Sequence, residues 1–130
     1  MIVVDASAVL ELLLDARAAQ RVLDRLGRPA EALHAPHLLD VEVVQAVRRY
    51  VAAGEVDAAK GRQAIGDLLD LAVVRHPHTI LLARAWELRR SITACDAMYV
   101  ALAEALDAPL LTRDQRLARS HGHRARVEVV

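Results

Sequence analysis

Met1-Ile2-Val3-Val4-Asp5-Ala6-Ser7 opens the chain, and its first five residues decide the fold. The apolar run does not alternate with polar residues, which is the pattern of a short strand covered on both faces. Asp5 stands where that strand leaves the sheet. A second such strand is predicted at Pro109-Leu110-Leu111-Thr112, followed at once by Arg113 and Asp114. Between them, helical patterns are predicted from Ala8 to Leu14 with Ser7 as cap, and from Ala16 to Leu26 with Gly27 as stop. Others run from Pro36, placed in a first turn, to about Ala53 before Gly54, and from Val56 to Leu71 despite Gly61 and Gly66. Thr79 to Arg89 reads as one helix, and Thr93 caps another that reaches Leu106. Brief strands fit Ala32-Leu33-His34, Val73-Val74 and Val127 to Val130, and a short helix fits Arg113 to Arg119. Strands alternating with helices predict an α/β fold, a parallel sheet with helices on both faces. Ligands in such folds bind outside the carboxyl ends of the strands, where Asp5 and Asp114 fall.

Composition narrows the function. A chain of 130 residues, with no linker or repeat, is expected to form one domain over 1–130. Apolar residues make up 55%, which excludes disorder, yet no apolar run is long enough to span a bilayer. No basic segment precedes the first apolar stretch, so no secretory signal is expected. Cys95 is the only cysteine, which rules out an intrachain disulfide framework and a cysteine zinc cluster and fits a reducing cytoplasm. Net charge is zero, against indiscriminate nucleic-acid binding. The last stretch is nevertheless basic: Arg113, Arg116, Arg119, Arg124 and Arg126 meet only Asp114 and Glu128. That cluster is either a solvated surface or a phosphate-binding one.

The acids carry the chemistry. Asp5, Glu42, Asp96 and Asp114 each interrupt or end an apolar stretch, where a carboxylate is costly unless paired or bound to a cation. Asp5 serves equally as a helix cap or as a metal ligand. Asp96 fits a capping box with Thr93, at the start of a helix apolar almost all round, where the helix dipole favours an ionised carboxylate. Glu42 lies mid-helix beside Leu38, Leu39 and Ala46, with no local partner. Asp114 stands at the start of a short helix. Ser7 and Thr112 put small hydroxyls close to these acids, as supports for a carboxylate or its water. Asp57, Asp67, Asp70, Asp107, Glu87 and Glu104 read as solvated helix-face or turn charges, and His34, His37, His76 and His78 as loop residues. No His-Glu-x-x-His, Gly-x-Ser-x-Gly, Walker lysine loop or Gly-x-Gly-x-x-Gly occurs.

In order, Val3-Val4-Asp5-Ala6-Ser7-Ala8, Leu39-Asp40-Val41-Glu42-Val43, Asp96-Ala97-Met98-Tyr99-Val100-Ala101-Leu102-Ala103 and Leu111-Thr112-Arg113-Asp114 resemble a PIN domain. More narrowly, they resemble a VapC-type ribonuclease toxin of a toxin–antitoxin pair. The resemblance implies a three-layer α/β/α sandwich and an endoribonuclease dependent on Mg2+ or Mn2+. Asp5, Glu42, Asp96 and Asp114 would then be catalytic, with Asp5, Asp96 and Asp114 as metal ligands and Glu42 holding a second ion or a water. Ser7 and Thr112 would support them, and Arg113, Arg116 and Arg119 would contact RNA. One departure is visible: Gln115, Arg116 and Leu117 follow Asp114 where some relatives carry a further acid. A small antitoxin, a homodimer and a cytoplasmic location without membrane contact are further implications.

Only Tyr50, Trp86 and Tyr99 are aromatic, too few for an extended base-stacking platform, so arginines holding a structured RNA such as tRNA or rRNA are the expectation. Two alternatives stand beside it. One is another metal-dependent phosphohydrolase, although Lys60 is the sole lysine and lies in a helix, and Asp5-Ala6-Ser7 is not Asp-x-Asp. The other is a non-catalytic RNA- or protein-binding module of the same fold.

Overall fold

The computed structural model describes residues 1–26 and 31–130. Its elements are β1 (Ile2–Val4), α1 (Ala6–Leu14), α2 (Ala16–Leu26), β2 (Leu33–Pro36), α3 (Leu38–Ala52), α4 (Ala58–Asp70) and β3 (Val73–His76). A 3-10 turn (Thr79–Leu81), α5 (Leu82–Glu87), α6 (Ala94–Leu106), β4 (Leu110–Thr112), α7 (Gln115–Ala118) and β5 (Val127–Val129) complete them. The strands form one parallel sheet in the order β3-β2-β1-β4-β5. Helices flank it: α6 lies against β1, β2 and β4, while α1 packs on α2, α3 and β4. This is the expected α/β sandwich with a short central sheet.

The three residues of β1 and the three of β4 have no more than negligible exposure, which is why both read as unbroken apolar runs. Val4 pairs with Leu111, and the Asp5 amide donates to the Leu111 carbonyl at 3.2 Å. Chain order reverses between these strands: β1 leads outward to β2 and β3, and β4 to β5. Asp5 and Thr112 therefore end neighbouring strands at the crevice where parallel sheets bind ligands.

Several local expectations are corrected. Asp5, not Ser7, caps α1: its carboxylate accepts from the Ala8 amide at 3.0 Å, and Ser7 is already helical. Pro36 ends β2 rather than starting a helix, and α3 begins after His37, which gives no side-chain cap. That role comes from a distant segment, since His78 Nε2 accepts from the Leu38 amide at 2.8 Å. His34 and His76 are strand residues, with rings stacked 5.2 Å apart and Nδ1 to Nε2 at 2.9 Å. Thr79 to Arg89 divides into the 3-10 turn and α5. The proposed stop of α2 at Gly27 lies outside the described residues.

The helical glycine at 61 has a packing reason. A Cβ there would sit 2.9 Å from Val51 Cγ2, so its absence lets α4 approach α3. Gly54, at φ +74°, takes the left-handed turn after α3 at the place the sequence predicted. Val9 is buried, and Leu10, Leu13 and Leu14 pack partly buried against the core.

Candidate active site

Four segments far apart in the chain bring their acids to one cleft. Asp5 comes from the end of β1, Glu42 from α3, Asp96 from the first turn of α6, and Asp114 from the cap of α7, and all four line a cleft of about 560 Å3. Ser7, Gln45, Arg49, Tyr50, Cys95 and Tyr99 are among its other walls.

Asp5 is held most firmly. Its Oδ1 accepts from Ser7 Oγ at 2.6 Å and from the Ala8 amide, and its Oδ2 accepts from Thr112 Oγ1. Thr112, fully buried, also accepts from the Asp114 amide at 3.0 Å. Ser7 accepts from the Arg113 amide at 2.8 Å. The two hydroxyls thus tie the end of β1 to the end of β4. Burial pushes the Asp5 carboxyl above its ordinary pKa, against the opposing pull of the bonds from Ser7, Thr112 and the amides.

Glu42 finds its partner on another helix, as its isolation on α3 required. Tyr99 Oη donates to Glu42 Oε2 at 2.6 Å. Burial raises the Glu42 pKa, the tyrosine bond opposes it, and repulsion from Asp5 and Asp96 raises it further. Asp96 is raised likewise by burial and by Asp114, with Thr93 and Arg116 pulling the other way. Thr93 caps α6 by accepting from the Asp96 amide at 3.2 Å. Tyr99 escaped sequence reasoning because a tyrosine in an apolar helix reads as core. The usable signal was its place three residues after Asp96, on the same helical face.

The four acids offer only oxygen donors and lie together on one cleft, so they suit a hard divalent cation. Among the described residues no three carboxylate, histidine or cysteine side chains converge closely enough to ligate one ion together. An ion that keeps several waters and takes one or two carboxylates directly fits that spacing, as magnesium does.

The expected RNA contacts are placed unevenly. Arg116 is exposed, with Nε 3.9 Å from Asp114 Oδ1. Arg113 is ion-paired with Glu11, which also meets Arg21. Arg119 is exposed on the turn after α7, near Gln115.

Residues 2–121 match the PIN domain family. Ribonuclease VapC12 of Mycobacterium tuberculosis is 45% identical over 130 residues, covering 100% of this chain and 99% of that protein. The crystal structure of PAE2754 from Pyrobaculum aerophilum superposes with a TM-score of 0.70 at 28% identity, over 98% of this chain and 83% of the other. VapBC2 from Rickettsia felis, solved on a DNA fragment from its promoter, gives a TM-score of 0.70 at 14% identity over 99% and 98%.

Proposed function

The chain belongs to the PIN-domain family, and from that membership we propose that it is a VapC-type toxin, an endoribonuclease that works with Mg2+ or Mn2+. The observation that carries this reading is the convergence of Asp5, Glu42, Asp96 and Asp114 on one cleft at the carboxyl ends of β1 and β4. The VapC12 name supports ribonuclease activity, and its likeness extends over the whole chain.

Of Asp5, Asp96 and Asp114, one or two would hold the ion directly and the rest through its waters, and Glu42 would hold a second ion or a water. When bound, the metal supplies an activated water near neutral pH and offsets charge on the phosphate. The chain's own residues set the geometry. Ser7 and Thr112 fix the Asp5 carboxylate, Tyr99 fixes Glu42, and the cap of α7 fixes Asp114. Such fixed, half-buried charges need little reorganisation as charge develops on the scissile phosphate.

Structured RNA, a tRNA or rRNA loop, is the substrate class we favour, because the site offers arginines but few aromatic rings. A small antitoxin would cover the acidic cleft with a basic side chain, and the toxin would act as a homodimer in the cytoplasm. Among the described residues, no helix is long and apolar enough to cross a membrane.

The test is cleavage of labelled cellular RNA by purified protein in Mg2+ or Mn2+, against EDTA. Cleavage leaving 5′-phosphate ends, lost in EDTA and reduced at least about 100-fold in Asp5→Asn, is expected. Metal-independent cleavage, or full activity of Asp5→Asn, would overturn the mechanism. Absence of cleavage in any metal would favour the non-catalytic binding module.

A further inference from the structure

A second cleft, of about 550 Å3, opens on the other side of the acids and shares Asp96 and Asp114 with the first. Those two are its only acids. Its remaining polar wall is basic or hydroxylic: Arg89, Arg90 and Arg116, with Ser91, Thr93 and Ser120. The groove is thus anionic only where it meets the reaction cleft and cationic beyond.

Arg89 and Arg90 differ from Arg84, Arg113 and Arg116, each of which meets a carboxylate. Arg84 is ion-paired with Glu87 and Glu104, and Arg113 with Glu11. Among the described residues, neither Arg89 nor Arg90 has a carboxylate within ion-pair distance. The Arg89 guanidinium is nevertheless held in place, and Arg90 is fixed at its backbone. The Arg89 guanidinium lies 4.5 Å from the centroid of the exposed Trp86 ring and donates to the Trp86 carbonyl at 3.0 Å. The turn beneath is pinned by the Ser91 amide on the Leu88 carbonyl at 2.9 Å, by the Ile92 amide on the same carbonyl at 3.2 Å, and by the buried Leu88 side chain. The held guanidinium of Arg89 loses little entropy on taking a phosphate, and neither arginine breaks an ion pair to do so.

Resting on the ribonuclease reading, we propose that this groove is the phosphate track of the RNA substrate. Arg89 and Arg90, neither singled out by the sequence, hold the phosphates on the α5–α6 side of the cleaved bond. Arg116 holds the one next to Asp114, and Trp86 positions Arg89. The substrate strand therefore leaves the acids over the α5–α6 turn.

The experiment measures binding of labelled bulk tRNA in EDTA over a series of salt concentrations, for wild type, Arg89→Gln, Arg90→Gln, the double variant and Arg90→Lys. Arg62→Gln, on the exposed face of α4, is the control. Each glutamine is expected to reduce the slope of log K against log[salt] by about 0.7 to 1, and the double variant by nearly twice that. Arg90→Lys keeps the wild-type slope, and so does Arg62→Gln. Circular dichroism and Tm of each variant confirm that the fold is retained. With metal added, the glutamine variants raise KM while kcat changes by less than about twofold, as for lost uniform binding. Wild-type slopes in both single variants and the double variant, with the wild type cleaving RNA, would overturn the track and leave the ribonuclease reading intact. A wild type that cleaves no RNA in metal would overturn both.

Discussion

Thr112 carries no charge and has no exposed surface, yet it joins the two strands that build the site. Its hydroxyl donates to Asp5 and accepts from the Asp114 amide, and it lies 3.4 Å from Ser7 Oγ. Thr112→Val keeps the volume and removes both bonds. The Asp114 amide then has no partner, and Asp5 loses one of the contacts that oppose the effect of burial. We expect a loss of about 1–3 kcal/mol, read as a lower urea midpoint at unchanged m-value. RNA cleavage should fall about 10- to 100-fold, as for loss of a group that orients a ligand, and Thr112→Ser should recover most of both. A wild-type midpoint and rate for the valine variant would deny Thr112 this role. Single residues of this kind were partly legible. Asp5, Glu42, Asp96 and Asp114 announced themselves because a charge inside an apolar run needs a reason. Thr112 was visible through its proximity to Asp114 and through the family resemblance, and Tyr99 offered only its spacing from Asp96, because a residue that acts through a distant segment has little local pattern.

At the level of elements, α5, α6 and the segment before β5 are joined through one guanidinium. Arg84 donates to both oxygens of Glu104, at 2.7 and 3.0 Å, to Glu87 at 2.8 Å and to the Gly122 carbonyl at 3.2 Å. The Arg124 amide adds a bond to Glu104 at 2.8 Å. The sequence suggested a solvated Glu104, because no partner lies within a helical turn of it, whereas its side chain is 4% exposed. The Arg84 hydrogen bonds bring its pKa down to about 2 from an ordinary 4.5. A depressed carboxyl stabilises the fold above the unfolded pKa, and that stabilisation is lost as pH falls from about 4.5 towards 2. Glu104→Gln should therefore cost about 1–3 kcal/mol at pH 7 and flatten the decline in Tm between pH 5 and pH 2.5. A parallel decline in the variant would assign the acid sensitivity to other groups. Element boundaries failed for the same reason as Glu104. Pro36 suits a helix start by propensity, but pairing with His76 across β2 and β3 keeps it in the sheet. Ser7 suits a cap, yet Asp5 two residues earlier already fills that place. The buried strands β1 and β4 were legible because an unbroken apolar run has few other homes.

Across the whole molecule, stability and function pull against each other at the crevice between β1 and β4. The sheet order converges four acids that desolvation and mutual repulsion disfavour, as the raised pKa values of Asp5, Glu42 and Asp96 record. Each charge is tolerable alone, and under the proposed function a cation would offset their joint placement. Without metal, Asp5→Asn should then melt higher than the wild type in EDTA, because a neutral amide replaces a buried charge while Ser7 and the Ala8 amide keep their acceptor. Added Mn2+ or Mg2+ should reverse the order. An ion that binds only the folded state stabilises it by about 2.7 kcal/mol at a hundred times its Kd, several degrees in Tm for a domain of this size. The wild type should show that rise and Asp5→Asn little of it, by differential scanning fluorimetry over a metal titration. Equal rises in both proteins would place the ion elsewhere. A wild type more stable than Asp5→Asn in EDTA would mean that the hydrogen bonds to Asp5 outweigh the burial of its charge, and that the fold tolerates the acids without a cation.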